Sequence, residues 1–520
     1  MGKRRIGLAW SAFFMLLAAS LLATGAEGTV TYSLHEHDGI TDIEVITPLA
    51  DYVFSEDGGV MKSLFITFTT YGSSVVELLR FGSRTNTDPE TLERQYVADA
   101  QFPFAIAGEG FAEGRYSLKE PEYTDSGGLV IAFVGDFDGV SITKEYTIDP
   151  DAIYTIDYRL TVNNRTGSPL QLSMLLGEHI PSDKGPSLHY IFNGEPITDV
   201  LAPGSYASFD GIGLMDKSIV FFLSPREGDP VAPLVERTPA GSERFGVTMT
   251  AAEGESVFDY SLYGGRRRYL LMEAAGLAPL DEPGVGARLM IPVIQFLGML
   301  YRATGNYGWA IILFTILTRV VLFPLMRKQY HSMAKMQKIQ PKLKRIQERF
   351  KDDRQLMQQK MMELYRKEGV NPMGGCLPML VQLPILILIW RAILHSGELI
   401  HLSPGFLWVP DLSRPDPYFI LVILTTGLMI LQQWLMTPKS TGETAGGQKY
   451  FGYLFPLFMA VLLWRFPAGL WLYYLLTTGA QVGQQAIVNW EMARADAARP
   501  ALAGDGLPSE EGGEDAGDEG

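Results

Sequence analysis

Residues 309–325 read WAIILFTILTRVVLFPL, an apolar run of membrane-spanning character with Arg319 at its middle. An arginine at a helix centre costs about 2.5 to 3.5 kcal/mol on insertion scales, and such residues turn toward protein or water. The run therefore implies a polar neighbour. Thr315 lies one helical turn before Arg319 and shares its face. Four further apolar runs come later, at 377–394, 418–436, 451–464 and 468–488, making five core spans. Several carry polar residues: Gln382, then Gln432 and Gln433, then Thr477, Thr478, Gln481, Gln484 and Gln485. None of the five runs contains an acid to pair with Arg319. Water must then reach the charge, and the simplest construction is a hydrated, positively charged recess within the membrane.

The remainder of the chain sets that region in context. With 520 residues, 47% of them hydrophobic, there is room for a membrane region and a separate soluble domain. Cys376 is the single cysteine, so no intramolecular disulfide and no zinc site of the Cys-pair type can form. The histidines include no HExxH, and the His35–His37 alternation reads as solvated surface, so no metal or cofactor is expected. No phosphate-binding or nucleophile-elbow motif stands between a strand and a helix, which argues against nucleotide-driven chemistry and against an enzyme.

Residues 1–27 have a basic head, an apolar stretch and a small-residue end, which fits a signal peptide or a short retained span. Either reading places the next segment outside the cytoplasm. Residues 28–270 carry period-two alternation, as in YTIDYRLTVNN, where Ile156, Tyr158, Leu160 and Val162 share one face before an Asn-rich turn. This predicts an all-β, sandwich-like domain of two sheets with a structural or partner-docking role. Residues 281–304 are interrupted by Pro292 and Arg302 and are expected to form an interfacial helix lying on the membrane.

Charge orients the spans. Between Met326 and Cys376 there are thirteen Lys and Arg against five Asp and Glu, and two more lysines lie between Thr437 and Lys449. The positive-inside rule places both segments in the cytoplasm, and the β-domain and the loop 395–417 outside. Within 326–370, Met333, Met336, Ile339, Leu343, Ile346 and Phe350 recur at helical steps. Lys351-Asp352-Asp353 then makes a turn, and Leu356, Met361, Leu364 and Tyr365 continue the pattern. This predicts a cytoplasmic helical hairpin. Its basic residues can set topology, meet anionic headgroups or approach ribosomal RNA. Residues 491–520 are acidic and Gly-rich, and read as a disordered tail.

The motifs TILTRVVLFPL with QYHSMAKMQKIQPKLKRIQERFKDD, then MMELYRKEGVNPMGGCLPMLVQLPI, then FPAGLWLYYLLTTGAQVGQQ resemble the YidC/Oxa family of membrane protein insertases, in the bacterial form with a large periplasmic domain. The likeness runs over roughly residues 285–490; the exported domain matches in position and β character. It implies a five-helix core, spanning 305–490 with the hairpin, around a groove open to cytoplasm and lipid and closed to the periplasm. By motif, Arg319 is the groove arginine, Thr315 and Tyr474 line the substrate path, and Tyr473 is adjacent. The resemblance also implies an inner-membrane location, nascent membrane proteins as clients, the bilayer and the Sec translocon as partners, and no small-molecule substrate. The ribosome is a further partner raised by it, although the acidic tail stands where some relatives carry a basic one. Two other classes compete on the residues alone: a transporter or anion channel built around an intramembrane arginine, and a membrane-anchored enzyme or scaffold acting through the β-domain.

Overall fold

The computed structural model describes residues 30–497 except 69–75, 78–84, 88–93, 97–101, 109–110, 112–113, 180–184, 198–208, 227–230, 240, 282, 370–376 and 437–445. The N-terminal segment, the loop around Lys439 and the acidic tail from 498 onward lie outside the described residues. The chain divides into two compact units, Met1–Tyr307 with Arg391–Pro415, and Gly308–Trp390 with Asp416–Gly520.

The first unit is β-rich. Its largest sheet has ten antiparallel strands, with Val140–Ile148, Thr155–Asn164 and Gly254–Arg266 adjacent at its centre. Five- and four-stranded sheets and a two-stranded ribbon accompany it, which elaborates the expected two-sheet arrangement. The alternation read in the sequence is realised: Ile156, Tyr158, Leu160 and Val162 all point into the core. The turn after them is closed by the Asn164 carboxamide oxygen, which accepts from the Thr166 backbone N–H at 3.0 Å. Residues of the three larger sheets share one apolar cluster. Aromatic rings fill its middle, with Phe54 and Phe104 packed against Tyr146 and Tyr158 at centroid distances of 4.5 to 5.2 Å.

One core position is occupied by a charge-bearing group. Along Val140–Ile148 the inward slots are Val140, Ile142, Lys144, Tyr146 and Ile148. Lys144 is fully buried; its Nζ donates to the carbonyls of Gly58 (2.6 Å) and Phe104 (2.7 Å) and sits 4.5 Å from the Tyr116 ring centroid. Burial, with no carboxylate partner among the described residues, brings its pKa down to about 7.

The segment Arg391–Pro415, expected as a loop of the membrane core, belongs with the β-rich unit. Its short helix Gly397–His401 carries Glu398, 1% exposed, whose carboxylate faces Arg268 Nε at 3.7 Å and Arg266 Nε at 4.0 Å. His401 packs on Phe68 with centroids 4.8 Å apart, and Leu402 rests on the apolar cluster. Burial raises the Glu398 carboxyl above the usual value, and Arg268 and Arg266 offset only part of that rise. A raised folded pKa contributes stability that is present below the unfolded value of 4.5 and is lost as pH climbs through the folded pKa. Glu398→Gln should therefore flatten this acid-side slope and raise the stability of the unit at pH 7. Thermal unfolding of the full chain in detergent from pH 4 to 8 checks this; an unchanged slope with a lower midpoint would mean that the arginines dominate.

The helical segments are α1 (Tyr269–Ala274), α2 (Val285–Thr304), α3 (Tyr307–Arg349), α4 (Arg354–Glu368), α5 (Leu377–His395), α6 (Gly397–His401), α7 (Ile420–Met436), α8 (Gly446–Leu463) and α9 (Ala468–Ala497). The helix expected at 281–304 is present as α2, continuous through Pro292 and ended by Gly305 in the left-handed conformation. The first expected core run and the first hairpin arm are not separate elements: α3 runs through both, with Pro324 and Pro341 inside it. A turn then leads to α4, whose first free N–H groups are capped by Asp353, the carboxylate accepting from Leu356 N at 3.0 Å. The two arms pair through Ile339 and Leu343 against Met361, Leu364 and Tyr365, with Lys342 bonded to Glu368 at 2.7 Å. At the C-terminus α9 continues to Ala497, past the expected end at 490, so Glu491 and Arg494 are helical and not part of a tail.

Candidate substrate groove

Over residues 309–325, α3 carries Thr315 and Arg319 on one face and mostly apolar side chains on the others. Val320 and Val321 are 66% and 75% exposed, and Ile423 on α7 and Val461 on α8 are equally open. Large side chains of this kind left exposed on helix after helix are suited to lipid rather than water. Among the described residues one helical stretch, Tyr307–Met336, is both long and apolar enough to cross a bilayer, and Gln382–His395, Ile420–Leu435 and Tyr453–Leu463 are shorter apolar helices.

Arg319 is the opposite case. It is 7% exposed, and its Nη2 donates to Gln382 Oε1 on α5 at 2.7 Å. Gln382 Nε2 in turn donates to the Tyr473 hydroxyl on α9 at 3.2 Å, so three helices meet through one polar chain. The Arg319 Nε and Nη1 groups have no protein acceptor, and no carboxylate pairs with Arg319 among the described residues. Desolvated guanidinium N–H groups without acceptors cost several kcal/mol unless water or a ligand meets them, so these two donors mark a place where either must enter.

The remaining polar residues extend the same feature. Gln432 Nε2 on α7 donates to Gln481 Oε1 on α9 at 3.1 Å. Thr477 and Thr478 are buried, and the Thr477 hydroxyl has no partner. Thr315 is satisfied locally, donating to Ile311 O at 2.7 Å, which leaves its oxygen lone pairs free to accept. Of the two tyrosines, Tyr473 is buried and joins the Arg319 chain, whereas Tyr474 is half-buried and takes no hydrogen bond in it. Gln433 lies half-buried beside Gln432.

Sequence reasoning missed part of the set. Gln329 and Tyr330 on α3 are buried, and the Gln329 amide and the Tyr330 hydroxyl are without partners; the side-chain oxygens of Gln484 and Gln485 on α9, both singled out in the sequence, are likewise without partners. Tyr330 is eleven residues from Arg319, three full turns, and so lies on the same face about 16 Å along the helix. That periodicity was the available signal. Met326, Tyr330, Ala334 and Val488 pack together at this level and hold α3 against α9. These helices therefore carry several buried polar atoms without protein partners, while apolar side chains are exposed elsewhere on them.

A β-rich domain joined to helices with exposed apolar faces and a buried arginine, carboxylate-free among the described residues, is the pattern of a helical membrane protein with a large domain outside the bilayer. The family model described as "60Kd inner membrane protein" matches residues 299–495. The membrane protein insertase YidC of Syntrophus aciditrophicus is 30% identical over 478 residues, covering 86% of this chain and 85% of its own, and that of Wolinella succinogenes is 32% identical over 75% and 73%. That of Laribacter hongkongensis is 29% identical over 88% and 89%. A crystal structure of an active YidC insertase with its first transmembrane domain resolved superposes with a TM-score of 0.50 at 21% identity, covering 93% of this chain and 99% of that one. The chain belongs to the YidC membrane protein insertase family.

Proposed function

We propose that this protein inserts newly made membrane proteins into the bacterial inner membrane by offering their polar flanks a hydrated, positively charged groove headed by Arg319. The supporting observation is the pair of buried guanidinium N–H groups without acceptors, set among Gln382, Tyr473 and Thr477. Burying a client span of some 20 residues is driven by about 25 cal/mol per Å² of apolar surface, so the client supplies its own driving force. The barrier is the dehydration of its polar flank. Arg319 lowers it by replacing lost hydration, and the charge favours acidic flanks. No covalent step and no nucleotide hydrolysis is required.

In this reading five core spans enclose the groove, and Thr315, Tyr474, Gln433, Thr478 and Gln481 contribute to its lining. The basic pair formed by the end of α3 and α4 lies in the cytoplasm, and the β-rich domain in the periplasm. Larger clients would pass in cooperation with the Sec translocon, and the ribosome would deliver chains to the basic pair. The test is reconstitution of the purified protein into liposomes with a single-span client bearing an acidic translocated tail, then protease protection. Protected tail in proteoliposomes and not in empty liposomes is the expected result. Solute flux without client insertion would favour a transporter instead.

A further inference from the structure

Beginning about one turn beyond Arg319 along α3, a cleft of about 170 Å³ lies against α9, its lining including Phe323, Arg327, Tyr330, Gln484, Val488 and Glu491. Tyr330 and Gln484 each present a buried oxygen without a partner. Beside them Arg327 Nη2 donates to both carboxylate oxygens of Glu491, at 3.2 Å each, and His331 Nε2 lies 3.3 Å from the same carboxylate. The chain from Met326 to Gln347 contains no acid, so this stretch of α3 is basic throughout and the carboxylate facing it here is supplied by α9. Neither partner is deeply buried: the Arg327 side chain is 53% exposed and that of Glu491 31%. Ion pairs at such exposure are worth only a few-fold in an equilibrium, which makes this one exchangeable. A carboxylate held loosely on an exposed guanidinium, beside unpartnered acceptors and about 12 Å along α3 from the buried Arg319 guanidinium, occupies the position that an incoming acidic side chain would need.

We propose that this cleft is an admission subsite for the polar flank of a client polypeptide, and that Glu491 is a resident counter-ion which a client aspartate or glutamate displaces from Arg327. The inference rests on the insertase reading above. Tyr330 and Gln484 then accept from the client's peptide N–H groups, and the client carboxylate moves from Arg327 to Arg319, eight residues or about 12 Å away along α3. Glu491 thereby sets specificity: it screens the mouth against weakly binding anions and tunes how strongly acidic flanks are preferred over neutral ones.

The experiment compares two clients that differ only by Asp or Asn in the translocated flank, inserted into proteoliposomes by the full-length wild type, Glu491→Gln and Arg327→Gln. With the competitor removed, Glu491→Gln should raise the ratio of Asp-client to Asn-client initial rates by about two- to fivefold, and Arg327→Gln should lower it. A photocrosslinker placed at Gln484 should capture the client flank, more strongly in the Glu491→Gln background. A ratio unchanged in both variants while wild type inserts both clients would overturn the proposal. So would equal loss of both clients in Glu491→Gln with recovery in the reciprocal exchange of Arg327→Glu and Glu491→Arg, since that is the signature of a bridge that only holds α3 to α9. Failure of wild type to insert either client would instead overturn the insertase reading.

Discussion

Replacing Arg319 with alanine is expected to lower insertion of a client with an acidic translocated flank by roughly 10- to 150-fold, the range given by losing hydrogen bonds to a charged group worth about 1.5 to 3 kcal/mol. The expectation rests on the buried position of Arg319 and on its two N–H groups that no protein atom accepts. Those groups are available to a client carboxylate or to the water that hydrates it. Arg319→Lys keeps the charge but not the planar fork that reaches Gln382 while presenting further donors, so it should retain part of the activity. Arg319→Glu should fall below alanine because it repels the flank. A client with a neutral flank should lose less in every variant. Initial rates of protease protection in proteoliposomes measure all four proteins, and equal rates for every client would remove the charge from the mechanism. Gln382→Ala should give an intermediate loss, since it frees the guanidinium without removing it.

Stability of the β-rich unit is expected to rise with pH between about 7 and 10.5, by up to about 1.4 kcal/mol per pH unit, because of Lys144. The folded chain releases this proton near pH 7, whereas the unfolded chain keeps it to 10.5. Across that interval the unfolded state holds the extra proton, so raising the pH favours the fold. Below pH 7 the buried ammonium is retained at a cost, softened by the Gly58 and Phe104 carbonyls and the Tyr116 ring. Lys144→Met should remove the pH dependence while leaving the two carbonyls without a donor. Denaturant unfolding of wild type and variant at pH 7, 8.5 and 10 reads the difference directly. Parallel behaviour of the two proteins would show that Lys144 gains water or a counter-ion in solution.

Local pattern carried much of this protein. Period-two alternation in Thr155–Asn164 sets which side chains enter the core, because neighbouring residues on a strand must face opposite sides. The same holds for the helical steps that pair Ile339 and Leu343 with Leu364 and Tyr365. Arg319 by itself announced a polar partner, because a charge among apolar residues has few tolerable environments, and Gln382 is that partner. Alternation places Lys144 on the inward face with Val140, Ile142, Tyr146 and Ile148, but what tolerates it there was not legible, because the accepting carbonyls come from two distant segments, Gly58 and Phe104.

The boundaries and partners were decided elsewhere. Helical hydrogen bonding does not stop where hydropathy changes, so α3 runs unbroken from its apolar part into its basic part, and α9 carries Glu491 beyond the apolar run to Arg327. The choice of Tyr473 over Tyr474 as the partner of Gln382 depends on the rotation of α9, a matter of roughly 100° per residue that packing of Val488 against Met326 and Tyr330 helps to set. Likewise, nothing in the sequence marks Glu398 within the loop 395–417, and only folding places it against Arg266 and Arg268. Sequence alone determined which segments bury apolar surface and that one arginine needs polar company. Tertiary structure decided which polar groups supply it, because hydrogen bonds depend on distances between chain segments that no local pattern records.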